Sequence, residues 1–370
     1  MCSTAVSRLN AADSQWMARA LQLAERGLYT TTPNPRVGCV LVSDGCIVGE
    51  GWHQRTGEPH AEIHALQAAG TAARGATAYV TLEPCSHHGR TPPCADALIV
   101  AGITRVVVAV QDPNPKVAGQ GIAQLRAAGI EVECGLMEAA ARELNIGFFA
   151  RMTRGTPWLR SKIAASLDGR TALKNGASQW ITGEAARQDV QHWRARSCAV
   201  LTGIGTILAD DPQLTVRDVA TSRQPLRVVV DSHLRIPLTA RIFQRDNVAI
   251  YTATQDAQKI AALEKSGARV LVLPDTNGRV DLKAVMRDLA GQGCNEVLAE
   301  AGGALNGALF NAGLVDEMVL YLAPQLLGDA ARGMAHLTEL TALDQGVQLA
   351  WHDVRNVGTD LRIIAKAKKV

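Results

Sequence analysis

One unbroken apolar run constrains this chain most. Residues 104–110 read TRVVVAV, with Thr and Arg followed only by Val and Ala. Nothing alternates there, so as a strand the run must be covered on both faces. That requires a sheet inside layers of helix, and the flanking sequence supplies the pieces. Asp13 or Ser14 can cap a helix running to Gly27, with Trp16, Ala20, Leu23 and Ala24 on one face. VGCVLVSDGCIVGEGW reads as two strands about a turn at Ser43–Asp44–Gly45. His60–Ala69 reads as a helix stopped by Gly70, and ATAYVTL, from Ala76, as a strand. PPCADALIVAG places proline before a helix and glycine after it. GIAQLRAAG is a further short helix and IEVECG a further strand. The expectation is a layered α/β/α domain that closes near residue 135.

MEAAARELNIGFFARMTRG then reads as a helical connector, and a second α/β region opens at Trp158. LRSKIAASLDGRT is a strand and loop, and GEAARQDVQHWRARS is helical. CAVLTG, LRVVVDS, NVAIYTA, ARVLVLP, EVLAEAG and EMVLYLA are short β-rich runs with helices between several of them. A mostly parallel second sheet follows. The boundary is set near residue 150, giving domains 1–150 and 151–370, in keeping with a length too great for one ordinary domain.

Composition narrows the function classes. Hydrophobic residues make up 47% of the chain but aromatics only 4%, so aliphatic side chains and alanine must build the cores. A net charge of +3 argues against a nucleic-acid or membrane-surface partner, and basic residues are better read as local phosphate clamps. The eight cysteines are irregularly spaced, which is not a disulfide framework. Cys2, Cys39, Cys46, Cys134, Cys198 and Cys294 read as buried small hydrophobes. No secretion-type leader and no membrane span is visible, so a cytoplasmic location is expected.

Within the first region, PHAEIHAL is followed by EPCSHHGRTPPC. Zinc accepts imidazole and thiolate, and a catalytic site uses three protein ligands and keeps one position open. Zinc nucleobase deaminases carry H-x-E and then P-C-x-x-C, with the glutamate as proton shuttle. His60–Ala61–Glu62 fits the first half and Pro84–Cys85 the start of the second. His88 stands where the short form wants cysteine, and the next cysteine is Cys94. Three readings remain. Cys94 serves across a longer loop, His87 or His88 substitutes, or the site is broken. Cys94 is favoured, because Pro93 and ADALIVAG place it in a first helical turn, where a thiolate is stabilised. His64 does not make a zincin pair, since Ala61 occupies the required glutamate position. An ideal helix sets His60 and Glu62 on nearly opposite sides, so the pair works only at a helix start facing a pocket. A closed structural zinc site would need a fourth protein ligand and would leave Glu62 without a task.

The runs TPNPRVGCVLVSDGCIVGEGWHQRTGEPHAEIHAL, TLEPCSHHGRTPPCADAL and QDPNPKVAGQG resemble the bifunctional deaminase–reductase family of riboflavin biosynthesis. The likeness continues through SKIAASLDGRTA, SQWITG, ADDPQLTVR, VVDS, AEAGG and YLAPQLLG, across nearly the whole chain. The family carries the longer cysteine spacing. The resemblance implies a cytidine-deaminase-like α/β/α domain followed by a dihydrofolate-reductase-like α/β domain. It implies hydrolytic deamination of a phosphoribosylaminopyrimidine and then reduction of its ribosyl chain to ribityl with NADPH.

By that resemblance, zinc is held by His60, Cys85 and Cys94, and Glu62 shuttles the proton. Asn34 and His53 read the base. His87 and Arg90 meet ribose or phosphate, and Asp112 and Asn114 meet the ribose. Each of these loop residues would equally suit a plain turn beside proline. In the second domain the resemblance assigns NADPH to Ala164, Trp180, Thr206, Asp210, Ser232, Gly302 and Gly303. It assigns substrate to Lys162, Ser178, Arg194, Leu214, Arg217 and Glu300, with Arg194 and Arg217 as phosphate partners. The residues alone say less there. Gly203–Ile204–Gly205 is only G-x-G, whereas Glu300–Ala301–Gly302–Gly303 follows an apolar strand and opens a helix. Asp210 and Glu300 are the ionisable candidates for a proton donor. Family members are often oligomeric, and an oligomer is expected. A polynucleotide deaminase would want a basic, aromatic-studded face, and a non-enzymatic zinc protein would bind the metal without turnover.

Overall fold

The computed structural model describes residues 9–86, 93–115 and 117–368. Cys2 therefore lies outside the described residues. The chain divides into two units, Met1–Gly155 and Thr156–Val370.

The first unit holds a five-stranded sheet in the order β2-β1-β3-β4-β5. Its strands are β1 (Gly38–Ser43), β2 (Cys46–Trp52), β3 (Thr77–Val80), β4 (Arg105–Val108) and β5 (Glu131–Cys134). β1 runs antiparallel to β2 and β3, while β3, β4 and β5 are parallel. The β1–β2 turn needs positive φ at Asp44 (51°) and Gly45 (74°), which aspartate and glycine tolerate. Val106, Val107 and Val108 are fully buried, as a strand covered on both faces must be. The helices are α1 (Ala11–Glu25), α2 (Ala61–Ala69), α3 (Cys94–Val100), α4 (Gln120–Ala127), α5 (Glu138–Leu144) and α6 (Ile146–Arg154). The cap of α1 is Asn10, not Asp13 or Ser14. Asn10 and Asp13 form a reciprocal capping box, and the Asp13 carboxylate also takes Arg105 and Tyr79. α6 belongs to this unit because Phe148 and Phe149 bury in its core. The division thus falls at Gly155, within several residues of the boundary read from sequence.

The second unit is built on a nine-stranded sheet, ordered β11-β10-β9-β8-β12-β6-β13-β16-β15. Chain order gives β6 (Trp158–Ser166), β7 (Arg170–Ala172), β8 (Ala199–Gly203), β9 (Leu226–Val230), β10 (Val248–Thr252) and β11 (Ala268–Val272). β12 (Glu296–Glu300), β13 (Glu317–Ala323), β14 (Arg332–Gly333), β15 (Leu349–Val357) and β16 (Asp360–Ala367) complete the set. From β11 through β13 all neighbours are parallel; β16 and β15 add an antiparallel hairpin at the edge. β7 pairs with β14 in a separate small ribbon. α7 (Glu184–Arg196), α8 (Ile204–Asp210), α9 (Ala257–Lys265), α10 (Leu282–Gly291) and α11 (Gly303–Asn311) are the crossover helices. The sheet is locked at one end by buried charge. Arg160 is 1% exposed and bonds Glu317 at 2.8 Å and also Glu296, and Glu296 takes Arg196 at 2.7 Å.

Cys39, Cys198 and Cys294 are buried, as read from sequence. Cys46 is exposed at the start of β2 and Cys134 only half-buried, because both sit where their strands meet solvent.

Candidate active sites

In the first unit, His60 is the N-cap of α2, with φ −77° and ψ 168°. That extended backbone turns its imidazole away from the helix, which removes the conflict between His60 and Glu62 on an ideal helix. Glu62 enters in the first turn and is 3% exposed. β2 lets α2 come close: a Cβ on Gly51 would stand 2.3 Å from the carbonyl oxygen of Ala61. Cys85 lies in the segment after β3, and Cys94 opens α3 with Pro93 as N-cap. His60 Nδ1 lies 3.6 Å from Cys85 Sγ and 3.3 Å from Cys94 Sγ. The Cys94 backbone N–H donates to Cys85 Sγ at 3.3 Å.

These three donor atoms lie within 4.8 Å of one another. A tetrahedral zinc site separates its nitrogen and sulfur ligands by roughly 3.5–3.8 Å, so the set fits the ion. No fourth metal-binding side chain joins the group among the described residues, and His64 stays outside it. Among the described residues the group therefore offers three protein donors, the number an open site uses. A hydrogen bond from Cys94, together with His60, holds the Cys85 thiol well below its usual range, while the same bond and burial push Cys94 up. Burial pushes the Glu62 carboxyl up to about 7, against the pull of His60. Glu62 Oε2 is buried and has no hydrogen-bond partner among the described residues. A solvent-shielded carboxyl oxygen of this kind suits a group that must both take and return a proton.

Asn34 and His53 converge beside this centre, and the His53 ring meets the His60 ring edge-on at 5.3 Å between centroids. Burial lowers the His53 pKa, against its contact with the Pro59 carbonyl. A neutral ring donates from Nδ1 to Pro59 O at 3.2 Å, leaving Nε2 to accept from Asn34 Nδ2 at 3.1 Å. Asp112 is 9% exposed, and its Oδ1 accepts the Asn114 N–H at 2.8 Å. His87 and Arg90 lie outside the described residues.

Asn145 was not legible as a site residue. It is 1% exposed; its Oδ1 accepts the Arg36 N–H at 2.7 Å and its Nδ2 donates to Arg36 O at 2.8 Å. Together with the Arg151 guanidinium, which donates to Pro33 O at 3.0 Å, it holds the Asn34 turn from behind. The contact spans 109 residues, from a segment read as a connector.

In the second unit all thirteen residues assigned by resemblance line one cleft of about 1960 Å³. Lys162 and Ala164 come from β6, Ser178 and Trp180 from the loop after β7, and Arg194 from α7. Thr206 and Asp210 come from α8, Ser232 follows β9, Glu300 ends β12, and Gly302 and Gly303 open α11. Trp180 is 68% exposed and stacks under Arg187 at 4.6 Å. Ser232 Oγ accepts the Val280 N–H at 3.2 Å.

Three details add to the sequence reading. Arg194, assigned to phosphate by resemblance, already donates to Glu300 at 2.5 and 3.0 Å and to Thr215 O at 2.9 Å. Glu300 is held ionised by its partners. Burial pushes its carboxyl up, but Arg194 and then Lys162, 3.6 Å away, more than offset this and hold it at about 2. Leu214 is 3% exposed with its side chain in the core, at φ 54°, so it can offer the cleft only its backbone. Arg217 is exposed on the cleft wall, its backbone N–H bonded to Gln191.

The glycines at α11 suit a dinucleotide. A Cβ on Gly302 would meet nothing within 4 Å, whereas one on Gly303 would stand 2.7 Å from Gly333 O. Gly302 therefore presents the open side of the helix start, where N–H groups can approach a pyrophosphate.

Comparison with known proteins agrees with both halves. Residues 10–110 match the cytidine and deoxycytidylate deaminase zinc-binding region, and residues 157–363 match the RibD C-terminal domain. The riboflavin biosynthesis protein RibD of Escherichia coli is 52% identical over 361 residues, covering 94% of this chain and 98% of that protein. The corresponding Haemophilus influenzae protein is 45% identical, covering 97% and 98%. The solved structure of Acinetobacter baumannii RibD superposes with a TM-score of 0.90 at 47% identity, covering 97% of this chain and 99% of that one. A Thermotoga maritima diaminohydroxyphosphoribosylaminopyrimidine deaminase/5-amino-6-(5-phosphoribosylamino)uracil reductase gives 0.86 at 32% identity, covering 96% and 99%. With a zinc-binding deaminase unit, a reductase unit and near full-length identity at this level, the chain belongs to the RibD family of riboflavin biosynthesis proteins.

Proposed function

We propose that Glu62 is the proton carrier of the deaminase and that the cleft of the second unit seats NADPH and the ribosyl chain side by side. The protein is a bifunctional enzyme of riboflavin biosynthesis that uses Zn2+ and NADPH. Its substrate is 2,5-diamino-6-(5-phosphoribosylamino)pyrimidin-4-one, deaminated first and then reduced to the ribityl product. The observation that carries the deaminase reading is the three-ligand group His60, Cys85 and Cys94 with a buried Glu62 oxygen beside it that has no hydrogen-bond partner among the described residues.

Bound zinc supplies the Lewis acidity that makes an attacking water available near neutral pH. Glu62 Oε2 takes a proton from the attacking water and passes it to a ring nitrogen, then takes the second proton from the hydroxyl so added and gives it to the departing ammonia. Asn34, oriented by His53, reads the pyrimidine edge. Asp112 and Asn114 contact the ribose, and His87 and Arg90 contact ribose or phosphate.

NADPH supplies the hydride in the second step. Gly302 and Gly303 receive its pyrophosphate, and Ala164, Trp180, Thr206, Asp210 and Ser232 line its path. Lys162, Ser178, the Leu214 backbone and Arg217 meet the substrate. Glu300 keeps Lys162 and Arg194 oriented toward the cleft.

No described helix is long and apolar enough to cross a membrane. A cytoplasmic, oligomeric enzyme acting on a small phosphorylated pyrimidine belongs to this reading. The exposed Trp351 and Val354 on the edge strand β15 support assembly, and a monomer by light scattering at micromolar concentration would count against it.

The test supplies zinc-loaded protein with the diaminopyrimidine ribosyl phosphate, with and without NADPH. Ammonia released without NADPH, and nicotinamide absorbance lost only after deamination, is the expected result. Bound zinc with neither signal would overturn the reading.

A further inference from the structure

Glu83 sits two positions before Cys85 and has no role in the chemistry above. It is 3% exposed, and its carboxylate accepts three backbone N–H groups. Oε2 takes Asp112 at 3.1 Å and Gly119 at 2.9 Å, and Oε1 takes Ile122 at 3.2 Å. All three donors lie between the QDPNP loop and the first turn of α4. Gly119 is the N-cap of α4 and has no side chain to cap it, so Glu83 caps that helix from another part of the chain. A second contact fixes the same join. A Cβ on Gly121 would stand 1.9 Å from Pro84 O, so the start of α4 rests on the carbonyl that precedes Cys85. The N–H of Glu83 itself donates to Val110 O at 3.0 Å.

We infer that Glu83 is a positioning residue for the deamination. It holds the loop bearing Asp112 and Asn114 in register with the metal-ligand segment, and so sets how the substrate's ribose is seated relative to the reacting carbon. The inference rests on the reading that Asp112 and Asn114 contact ribose. A carboxylate is the side chain that this join requires. It offers acceptors on both oxygens and no hydrogen, whereas an amide would turn its NH2 toward at least one of the three N–H groups.

The experiment uses the full chain, loaded with zinc, as Glu83→Gln and Glu83→Ala, with Gly121→Ala as an independent way to loosen the same join. Ammonia release, zinc content and amide exchange over 111–122 are measured together. We expect zinc at the wild-type level, kcat within about threefold, and KM raised on the order of tenfold, with glutamine milder than alanine. Exchange should quicken at Asp112, Gly119 and Ile122 while Val106–Val108 stay protected. Asp112→Ala and Asn114→Ala should raise KM alike. A fall in kcat with KM unchanged would place Glu83 in the chemistry and overturn the inference. So would loss of zinc, or wild-type kinetics in all three variants. KM raised by the Glu83 variants but not by Asp112→Ala or Asn114→Ala would instead sink the ribose reading and leave the hold of Glu83 on the loop standing.

Discussion

Arg194 and Glu300 form a two-contact ion pair, 2.5 and 3.0 Å, at the wall of the reductase cleft. One comes from the α7 helix and the other from the end of β12, so the pair ties the helix that covers the sheet to the strand that leads into the Gly302–Gly303 turn. A planar guanidinium meeting a carboxylate in this way is both strong and directional.

The first prediction follows from the charge of that pair. The folded Glu300 carboxyl stands at about 2 against an ordinary value of 4.5. Because the folded value is the lower, its contribution is complete above about 4.5 and is lost as pH falls toward 2. The gap corresponds to about 3 kcal/mol. Glu300→Gln should therefore lower the reductase unfolding temperature at pH 7 by about 5–10 °C. The difference from wild type should shrink by pH ~3 in calorimetry. An unchanged difference across that range would mean that Glu300 is not held ionised by its partners.

Glu62→Gln tests the proton carrier. The amide keeps the shape and leaves His60, Cys85 and Cys94 untouched. Zinc content should remain at the wild-type level, while ammonia release falls by at least about 100-fold, the lower range for removing a general acid–base group. Normal turnover would remove Glu62 from the role.

Much of this architecture was legible in the residues because it is local. The apolar run at Val106–Val108 declared a doubly covered strand, and the Asp44–Gly45 turn declared its hairpin. The metal group was legible because its residues sit in short motifs, His60 and Pro93–Cys94 at helix starts and Pro84–Cys85 just after a strand. What escaped notice is non-local or ambiguous in pattern. Glu83 and Asn145 look like ordinary polar residues until distant backbone N–H groups reach them. The β15–β16 hairpin was missed because LAWHDVRNV mixes exposed apolar and charged positions, as an edge strand with Trp351 in solvent does. The connector is helical, as read, but sequence shows only that α6 has an apolar face, not which core receives Phe148 and Phe149.

Metal removal should separate the two activities. All three proposed zinc ligands lie in the first unit and the whole lined cleft in the second. Chelation, or Cys94→Ser, should abolish ammonia release. NADPH oxidation should persist when the already deaminated ribosyl compound is supplied. Loss of both activities on chelation would show that the reductase depends on the metal unit for its own integrity.

The open glycine gives the sharpest test of the dinucleotide seat. Gly302 has φ −76° and ψ 172°, a backbone that alanine adopts without strain, and a Cβ there meets no atom of the protein within 4 Å. Gly302→Ala should therefore fold with an unchanged unfolding temperature. The added methyl nonetheless projects from the start of α11, where N–H groups must approach a pyrophosphate closely. The KM for NADPH should rise by on the order of tenfold or more, a loss of about 1.4 kcal/mol of binding, with ammonia release untouched. Gly303→Ala is the contrasting case. Its Cβ would stand 2.7 Å from Gly333 O, so it should lose stability as well as cofactor affinity. If Gly302→Ala binds NADPH like wild type in a fluorescence titration, the pyrophosphate does not sit at this turn, and the glycines serve only the packing of α11.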